Sequence, residues 1–439
     1  MQEDTGRHAS VCRVVMHGDK ECGRPPYGQG DRCVCHSDDP SKDAAAFGDE
    51  VSAVLASSEP DLSRFVFPPG WTVSGATLPD SVCYEHAVFL GDVSFERARF
   101  GGAAVFDWAS FKGEASFRGA RFLGEASFEG TDFEQGASFL WVVFSAPSRF
   151  SHASFGDLAS FQGTEFGGEA VFAGTRFADE ANFNGAVFRG EVAFVGDWLI
   201  GAVFAEDAGA DFTYARFGQP TATLFCQVSL RRAQFLGTDV REVDFTDVTW
   251  ARRPGGGSAV WDEFADPETG TGREFGLVAQ LYRRLKENYE EQRDYVRAGD
   301  FHFGEMEMRR LADPHPNRVF RLLAQNLSLI ALYRFFSGYG ESYRLAGVWI
   351  LGTITAFAAL FAWVPGFSLQ TDQVPPRVPH PVQGFWQCWL YSAMCFLLRS
   401  DRPFRSARLR GDGASLVEGV LGAVLVALFV LAVNRRLKR

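Results

Sequence analysis

The 439-residue sequence lacks the motifs that mark most enzymes and has no excess of basic residues. Its 43 Lys and Arg are outnumbered by 54 Asp and Glu, and the net charge of −11 disfavours binding through phosphate contacts. There is no phosphate loop, no His-Glu-x-x-His, no nucleophile elbow and no dinucleotide-binding glycine fingerprint after a strand. Residues 1–40 are polar and contain no apolar run typical of a secretory signal. We therefore expect neither an enzyme nor a protein that binds nucleic acid directly.

Methionine, tyrosine and tryptophan are scarce, with 5, 10 and 10 residues, whereas phenylalanine is abundant, with 43. Many of the phenylalanines alternate at steps of six and five residues: Phe89, Phe95, Phe100, Phe106, Phe111, Phe117, Phe122, Phe128, Phe133, Phe139, Phe144, Phe150, Phe155, Phe161, Phe166, Phe172, Phe177, Phe183, Phe188 and Phe194. The spacing suits neither a helix nor a flat strand. It predicts a chain that turns a corner every five or six residues, with phenylalanines inside and Gly113, Gly119, Gly124 and Gly130 at corners.

The repeat extends over residues 67–250, although it blurs at 195–220 and then continues in steps of five from Phe225 to Trp250. In these residues the chain resembles the pentapeptide-repeat family. The resemblance implies an all-β, right-handed quadrilateral β-helix, a solenoid whose stacked coils bury the large residues. Because half of the units contain six residues, we expect four-sided coils of about 22 residues, with the extra residue bulging from one or two faces.

The predicted solenoid is acidic, because residues 67–250 contain 24 Asp and Glu but only 12 Lys and Arg. One interpretation is a solvated surface that keeps the chain soluble. The other is a binding surface for an unidentified protein partner. The resemblance includes pentapeptide proteins that imitate duplex DNA and bind topoisomerases, so a DNA-mimic scaffold is one form of this hypothesis.

Residues 1–50 contain a cluster of cysteine and histidine residues with the character of a zinc knuckle. The four candidate ligands, in a C-x9-C-x10-C-x2-H pattern, are Cys12, Cys22, Cys33 and His36. Three thiolates and an imidazole suit a tetrahedral Zn²⁺ ion. Cys35 is an alternative to Cys33, and His17 is another candidate ligand. We predict a structural zinc, because four protein ligands leave no open position; the alternatives are a flexible tail of reduced cysteines and a metalloenzyme with an open position.

A Gly/Pro-rich segment, 251–272, is predicted to be a linker. Helical periodicity begins at Arg273, and residues 273–313 are predicted to form a helical hairpin whose second helix starts at Asp300 as N-cap. Its second-helix stretch, residues 298–310, resembles a segment of membrane-attached pentapeptide-repeat proteins. Residues 318–338 then predict an amphipathic helix that lies on a membrane surface or packs on the hairpin.

Two uncharged or nearly uncharged runs, Leu345–Val364 and Ala414–Val433, predict transmembrane helices. The fifteen residues of Gly384–Leu398 between them are too few for a comfortable span, so residues 345–439 predict a two-span domain with a short re-entrant helix. This order resembles the C-terminal module of channel-like pentapeptide-repeat proteins. We take Gln387 and Glu418 as pore or helix-contact candidates, although no potassium-filter sequence follows the short helix.

Two spans would place both chain ends in the cytoplasm, in agreement with the basic residues at 435–439. A third span through Gly384–Leu398 would instead place the arginines between 399 and 410 inside. We predict a homo-oligomeric protein of the inner cell membrane, with a cytoplasmic β-helix that acts as a binding or sensing scaffold coupled to a channel-like domain. The alternative is an acidic scaffold for which the spans serve only as an anchor.

Overall fold

The computed structural model describes residues 11–28, 30–197, 203–205, 207–254, 256–264, 274–312, 325–364, 367, 369–371, 384–397, 404–406 and 409–437. The chain divides into two compact units, Met1–Asn288 and Tyr289–Arg439. The first unit contains a parallel β-solenoid, and the described part of the second is mainly helical.

The solenoid has four sides and about eight turns, which confirms the predicted fold. Each strand pairs in parallel with the strand one coil away: Phe67 lies opposite Phe89, and Phe89 lies opposite Phe111. This step of 22 residues is the one that the alternation of six and five predicts. Across the blurred stretch Ala181 pairs with Ala210, and towards the C-terminal end Phe225 pairs with Phe245, one coil of 20 residues later.

The strands fall into four long sheets, one for each side of the solenoid. Sheet 1 contains Val66–Phe67, Val88–Phe89, Ser110–Phe111, Asp132–Phe133, Ser154–Phe155 and Arg176–Phe177. Sheet 2 contains Trp71–Thr72, Val93–Ser94, Ala115–Ser116, Ala137–Ser138, Ala159–Ser160, Ala181–Asn182, Ala210–Asp211 and Ala233–Gln234. Sheet 3 contains Thr77–Leu78, Arg99–Phe100, Arg121–Phe122, Val143–Phe144, Glu165–Phe166, Val187–Phe188 and Arg216–Phe217. Sheet 4 contains Ser81–Cys83, Ala103–Val105, Ala126–Ser127, Ser148–Arg149, Ala170–Ala173, Val192–Val195, Thr223–Cys226 and Asp244–Thr246.

Columns of phenylalanine rings fill the solenoid. Phe139 stacks on Phe117 and Phe161 with ring centroids 4.9 and 4.8 Å away. It also meets Phe128 and Phe150 edge to face, both at 5.5 Å, so each ring uses both favourable aromatic geometries. These rings are fully buried. Because the interior is filled by side chains, any binding by the solenoid must use its outer faces or its ends.

Glycines serve the coils in two different ways. Gly119 and Gly130 adopt left-handed φ angles of 66° and 62°, as the sequence predicts for corners. Gly113 and Gly124 instead allow adjacent coils to approach closely, because a Cβ atom there would lie 2.4 and 2.3 Å from backbone atoms of the preceding coil.

The N-terminal end of the solenoid is covered by helix α1, Ala44–Leu55, which the sequence does not reveal. Asp43 caps this helix by accepting hydrogen bonds from the amides of Ala45 and Ala46. The buried ring of Phe47 packs against Phe67 and Trp71 with centroid distances of 5.3 and 5.1 Å. Helix α1 therefore shields the apolar end of the first coil from water.

At the C-terminal end the ordered structure continues past the predicted boundary at residue 250. Thr249–Arg252 pairs with Ser229–Leu230 in parallel and with Ser258–Ala259 antiparallel, and a 3₁₀ turn follows at Trp261–Glu263. The first part of the predicted linker, 251–272, thus belongs to the solenoid unit. Residues 265–273 lie outside the described residues. Helix α2, Phe275–Glu291, then begins the predicted hairpin.

The second helix of the hairpin, α3, spans Tyr295–Leu311, so its predicted start at Asp300 is wrong. Asp294 is the N-cap and accepts a hydrogen bond from the Arg297 amide at 3.0 Å. Gly299, which suggests a helix break in the sequence, lies inside α3 and is buried. The glycine therefore lies within a continuous helix and does not end it.

The described residues also contain helices α4 (Leu329–Ser337), α5 (Tyr343–Trp363), α6 (Phe385–Phe396) and α7 (Leu409–Leu437). The predicted amphipathic helix 318–338 is described only from residue 325 onwards. Leu369–Thr371 and Phe404–Ser406 form a short antiparallel pair. Helix α6 has 12 residues, about 18 Å of helix, which is too short to cross about 30 Å of hydrocarbon.

Candidate functional site

A β-hairpin within residues 12–24 presents two of the predicted metal ligands side by side. The Cys12 amide donates to the Arg24 carbonyl at 2.8 Å and the Gly23 amide donates to the Cys12 carbonyl at 3.0 Å, which closes the base of the hairpin. The base carries Cys12 and Cys22. Backbone hydrogen bonds from the amides of His36 and Ser37 to the Cys33 carbonyl form the tight turn that carries the other two ligands.

The four predicted residues come together, with one ligand atom from each lying within 4.8 Å of all the others. The sulfur atoms of Cys22 and Cys33 are 3.6 Å apart. His36 Nδ1 lies 3.4 Å from the Cys12 sulfur and 3.2 Å from the Cys33 sulfur. A tetrahedral ion with bonds of about 2.0–2.3 Å to one nitrogen and three sulfurs separates these ligand atoms by about 3.5–3.8 Å. The cluster is therefore already close to the size of a four-coordinate metal site.

Burial gives the cluster the character of a structural site. Cys12, Cys33 and His36 are almost completely inaccessible to solvent, and Cys22 is partly buried. Burial raises the pKa of the Cys22 thiol to about 11, so a bound cation is needed to hold this sulfur as a thiolate near neutral pH. Nε2 of His36 is buried with no hydrogen-bond partner among the described residues, and the imidazole packs edge-on against Phe65 at 5.3 Å.

Neither of the two alternative ligands belongs to the four-residue cluster, although the Cys35 thiol interacts with the Cys33 thiol. Cys35 is buried, but its sulfur is not part of the four-residue cluster, and its carbonyl accepts the Val66 amide at 2.8 Å. His17 belongs to a separate group with Cys83 and Glu85. The set predicted from the spacing is thus the set that the fold brings together, and the contact between Cys35 and Val66 joins this segment to the first coil.

Glu418, a predicted pore or helix-contact residue, is fully buried among α5, α6 and α7. The Ser392 hydroxyl on α6 lies against a Glu418 carboxylate oxygen and 2.7 Å from the Ile354 carbonyl of α5. Gln387, by contrast, is exposed on α6. Within one chain, therefore, Glu418 is a helix-contact residue and the two predicted pore residues occupy different environments.

A second polar network, centred on Glu307 of α3, reaches the C-terminal end of α7. Glu307 accepts hydrogen bonds from Tyr339 Oη at 2.8 Å, Arg310 Nη2 at 2.6 Å and Arg334 Nη1 at 3.0 Å. Burial raises the pKa of Glu307, but the hydrogen bonds from Arg310 and Tyr339 outweigh it and hold the pKa below its usual value. Arg435 of α7 donates to the Tyr339 carbonyl at 3.0 Å and lies 3.2 Å from the Glu341 carboxylate.

The turn that carries Tyr339 explains how this network is held. Gly338, Tyr339 and Gly340 all adopt left-handed φ angles, of 56°, 60° and 77°. The tyrosine is completely buried, although such an angle is unfavourable for a side chain of its size. Sequence reasoning noted the Gly-Tyr-Gly-Glu segment only as part of a resemblance and missed Glu307, Ser392 and Arg435 as partners. The two glycines around a tyrosine are the one local signal that points to this turn.

Helices α5 and α7 each contain a stretch long and apolar enough to cross a membrane, Tyr343–Trp363 and Gly411–Arg435. Only 22% and 28% of these stretches is buried within the chain, whereas the core helix of a soluble protein is mostly buried. Arg435 contacts the turn immediately before α5, so the end of α7 lies beside the start of α5 and the two helices run antiparallel.

Comparison with known protein families agrees with the solenoid. The model described as pentapeptide repeats (9 copies) matches residues 84–132, 106–154 and 150–196. No curated protein and no solved structure matches the chain significantly. The chain thus contains pentapeptide repeats at residues 84–196, together with two candidate membrane-spanning helices at its C-terminus.

Proposed function

We propose that this chain is a membrane-anchored binding scaffold in which the solenoid is coupled to a channel-like C-terminal module. The observation that carries the proposal is the network linking Glu307 of α3, through Tyr339, to Arg435 of α7. Helix α3 follows α2 after only three residues, and α2 packs on the last coil of the solenoid through Arg284 and Asn288. A movement of α3 would therefore be transmitted to the start of α5 and the end of α7 through hydrogen bonds that involve charged side chains.

The outward faces of α5 and α7 support a lipid anchor. Leu351, Leu416 and Val424 are 58%, 71% and 51% exposed. Further exposed apolar residues on the two helices are Val348, Trp363, Val417, Val420 and Val430. In water this surface would be a large exposed apolar patch, whereas in a bilayer it is the expected lipid-facing surface. We therefore assign the lipid membrane as the first partner of this module.

The antiparallel arrangement supports two spans, with the start of α5 and the end of α7 on the same side. Basic residues cluster at that end in the sequence, at 435–439, and such clusters favour the cytoplasmic side. We accordingly place the solenoid, which precedes α5 in the chain, in the cytoplasm beside the inner cell membrane. The short α6 would then be a re-entrant helix.

The more specific hypothesis is that the C-terminal module conducts ions. A carboxylate buried between apolar helices is costly unless it is hydrogen-bonded, and Ser392 supplies one such bond to Glu418. Glu418 could line a conducting pathway only if several copies assemble and these helix contacts rearrange. We therefore propose a homo-oligomer as the conducting form and the single chain as an anchor.

The four-residue cluster supports a structural zinc ion as the cofactor. Three sulfurs and one imidazole nitrogen are the donor set that zinc favours, and all four positions are supplied by the protein. Such an ion would hold the hairpin at residues 12–24 to the turn at residues 33–36. Its proposed role is to fix the N-terminal end of the solenoid.

The acidic outer faces support a basic protein surface as the partner of the solenoid. Exposed carboxylates recur along the coils, at Glu134, Asp157, Glu169, Asp179, Glu180, Glu191, Glu242, Asp244 and Asp247. A surface of this charge favours a basic partner through long-range attraction, which salt would weaken. DNA mimicry remains the alternative form of this function, with α5 and α7 as an anchor only.

Reconstitution of the purified full chain into liposomes tests the proposal in two steps. Flotation on a density gradient measures insertion, and release of a trapped alkali-ion dye measures conduction. The variant Glu418→Gln should alter the flux, because it removes the buried charge. The variant Asp412→Asn is the matched control, since Asp412 is an exposed carboxylate on the same helix.

The channel-like module is supported if the chain inserts into the liposomes, the ion flux increases with the amount of protein, and the flux changes in Glu418→Gln but not in Asp412→Asn. Insertion without flux restricts the module to an anchor and leaves the scaffold function. Failure of the full chain to float with the liposomes contradicts the proposal as a whole.

A further inference from the structure

The hairpin that carries Cys12 and Cys22 also carries His17 at its tip. An antiparallel bridge joins Val15 to Glu21, and the Met16 amide donates to the Lys20 carbonyl at 2.8 Å. The backbone amide of His17 donates to the Ser63 hydroxyl at 2.8 Å, which fixes the tip against the chain that enters the solenoid. One end of the hairpin therefore lies in the metal cluster, and the other lies against the solenoid.

The first coil of the solenoid presents two further ligand types to this tip. Along sheet 4 and the corner after it, the side chains of residues 82–85 alternate between the inside and the outside of the solenoid. Val82 and Tyr84 point inward and are 1% exposed. Cys83 and Glu85 consequently share the outer face and are partly buried. The His17 imidazole lies in hydrogen-bond contact with the Glu85 carboxylate.

One ligand atom each of His17, Cys83 and Glu85 lies within 4.8 Å of the other two. In tetrahedral geometry, nitrogen, oxygen and sulfur ligands with bonds of about 2.0–2.3 Å are separated by about 3.3–3.7 Å. The His17 nitrogen and the Glu85 oxygen are in hydrogen-bond contact, so these two atoms must move apart to admit an ion. The side chains can make this movement, because that of His17 is 64% exposed and that of Glu85 is 28% exposed.

Two members of the group, His17 and Cys83, line a cleft of about 770 Å³. The charged residues that also line this cleft are Lys20, Glu21, Arg24, Glu59 and Asp61. Three protein ligands at the edge of this cleft leave a fourth coordination position open to solvent. This arrangement differs from the buried cluster of Cys12, Cys22, Cys33 and His36, in which the protein supplies all four ligands.

We propose that His17, Cys83 and Glu85 form a second metal site, which binds a divalent transition-metal ion with an exchangeable fourth ligand. An imidazole nitrogen, a thiolate and a carboxylate together suit ions of zinc type and not calcium or magnesium, which prefer oxygen ligands. The negative charge of Glu85, with Asp61 nearby in the cleft, favours a cation here. This site ties the hairpin tip to the first coil, while the buried cluster ties its base to the turn at residues 33–36.

The test counts metal ions and reads their ligands in the full-length protein. Elemental analysis of the protein refolded with excess Co²⁺ and then desalted should give two equivalents for the two clusters. The variant Cys83→Ser should retain one equivalent and lose about a quarter of the sulfur-to-cobalt charge-transfer absorption, since one of four thiolates is removed. Glu85→Gln should weaken the same equivalent. Cys226→Ser is the matched control, because Cys226 is a half-buried cysteine on a later strand of sheet 4 and outside both clusters.

Azide provides a second readout, because it can replace only a ligand at an open position. In the wild type it should shift the visible cobalt bands, and in Cys83→Ser the shift should disappear. One equivalent of cobalt in wild type and Cys83→Ser alike would show that His17 and Glu85 form only an ion pair, and would overturn the site. Two equivalents with no azide response would overturn the exchangeable position.

Discussion

At each end of the solenoid a cover shields the buried side chains of the terminal coil from water, and the two covers are held by different contacts. At the N-terminal end, α1 covers the rings with Phe47, and the Lys42 ammonium donates to the carbonyls of Val34 and Ser37 at 2.9 Å and also contacts that of Val66. At the C-terminal end, α2 places Asn288 Nδ2 2.8 Å from the carbonyls of both Val240 and Val243. Both ends therefore combine an apolar cover with side-chain donors for backbone carbonyls.

The difference between the ends lies in how the cover itself is held in place. The 17-residue α2 has enough length to carry its own donors, and Arg284 adds a hydrogen bond to the Thr238 carbonyl at 2.7 Å. The N-terminal cover is short and irregular apart from α1, and in our proposal a metal ion bound by the Cys/His cluster cross-links it. Interior coils repeat because each has a coil on both sides, whereas the terminal coils need residues that the repeat cannot provide.

Loss of the buried Cys/His cluster should have the largest effect, and it should destabilise only the N-terminal end of the solenoid. Structural zinc supplies about 10–16 kcal/mol to small metal-dependent domains, so Cys33→Ser should release the cover over the first coil. Hydrogen exchange should then show faster exchange of amides around residues 60–90, with amides around 235–250 unchanged. Cys226→Ser should leave both regions as in the wild type. Equal protection at residues 60–90 in Cys33→Ser and wild type would contradict a structural role for the cluster.

Removal of a ring midway between the ends should destabilise the solenoid by about 3–5 kcal/mol. Phe139→Ala deletes contacts with four neighbouring rings at 4.8–5.5 Å and leaves a cavity between coils. Chemical denaturation followed by circular dichroism measures the loss, with Phe139→Leu as the milder control. If Phe139→Ala were no more destabilising than Phe139→Leu, the stacked columns would not be the main source of stability.

Asn288→Ala should destabilise the C-terminal end of the solenoid and lower the free energy of unfolding by about 2–4 kcal/mol, because two buried carbonyls lose their hydrogen-bond donor. Hydrogen exchange should increase around residues 235–250, the reverse of the pattern in Cys33→Ser. Arg283→Ala is the matched control, since Arg283 lies on the exposed face of the same helix and pairs only with Glu287 among the contacts described. Similar exchange in Asn288→Ala and Arg283→Ala would mean that α2 does not hold this end.

The ends should also differ in their response to mild acid, through Asp262 at the C-terminal end. Burial raises the pKa of this carboxyl to about 6, against the hydrogen bonds that it accepts from the amides of Phe235 and Leu236. A folded-state pKa above the unfolded value contributes stability that is present at low pH and lost as the pH rises through about 6. Relative to Asp262→Asn, the wild type should lose about 2 kcal/mol between pH 4 and 6. Parallel stability curves over this range would contradict the assignment.

The repeat could be predicted because it depends on local spacing. The buried phenylalanines follow from the alternation of six and five, and the four sides with their step of 22 residues follow from this alternation together with the resemblance to pentapeptide repeats. The clustering of the four candidate ligands could be predicted because few side chains bind metals and all four lie within 25 residues. In both cases the information is carried by residues close together in the chain.

The failures of sequence reasoning involve partners that are distant in the chain. The sequence placed the start of α3 at Asp300 because a glycine precedes it, but packing keeps Gly299 inside the helix and Asp294 provides the cap. The bond between Ser392 and Glu418 joins residues 26 positions apart, and the contact between Arg435 and Tyr339 spans 96. Periodicity within one segment holds no information about such pairs.

The central claim, that α5 and α7 anchor the chain in a membrane, is tested most directly by alkaline carbonate extraction of membranes from cells that produce the full-length chain. Carbonate releases peripheral proteins and leaves transmembrane proteins in the pellet. We predict that the full chain stays in the pellet and is released only by detergent, while a chain ending at Ser342 is released by carbonate. Recovery of the full chain in the carbonate supernatant would contradict the account.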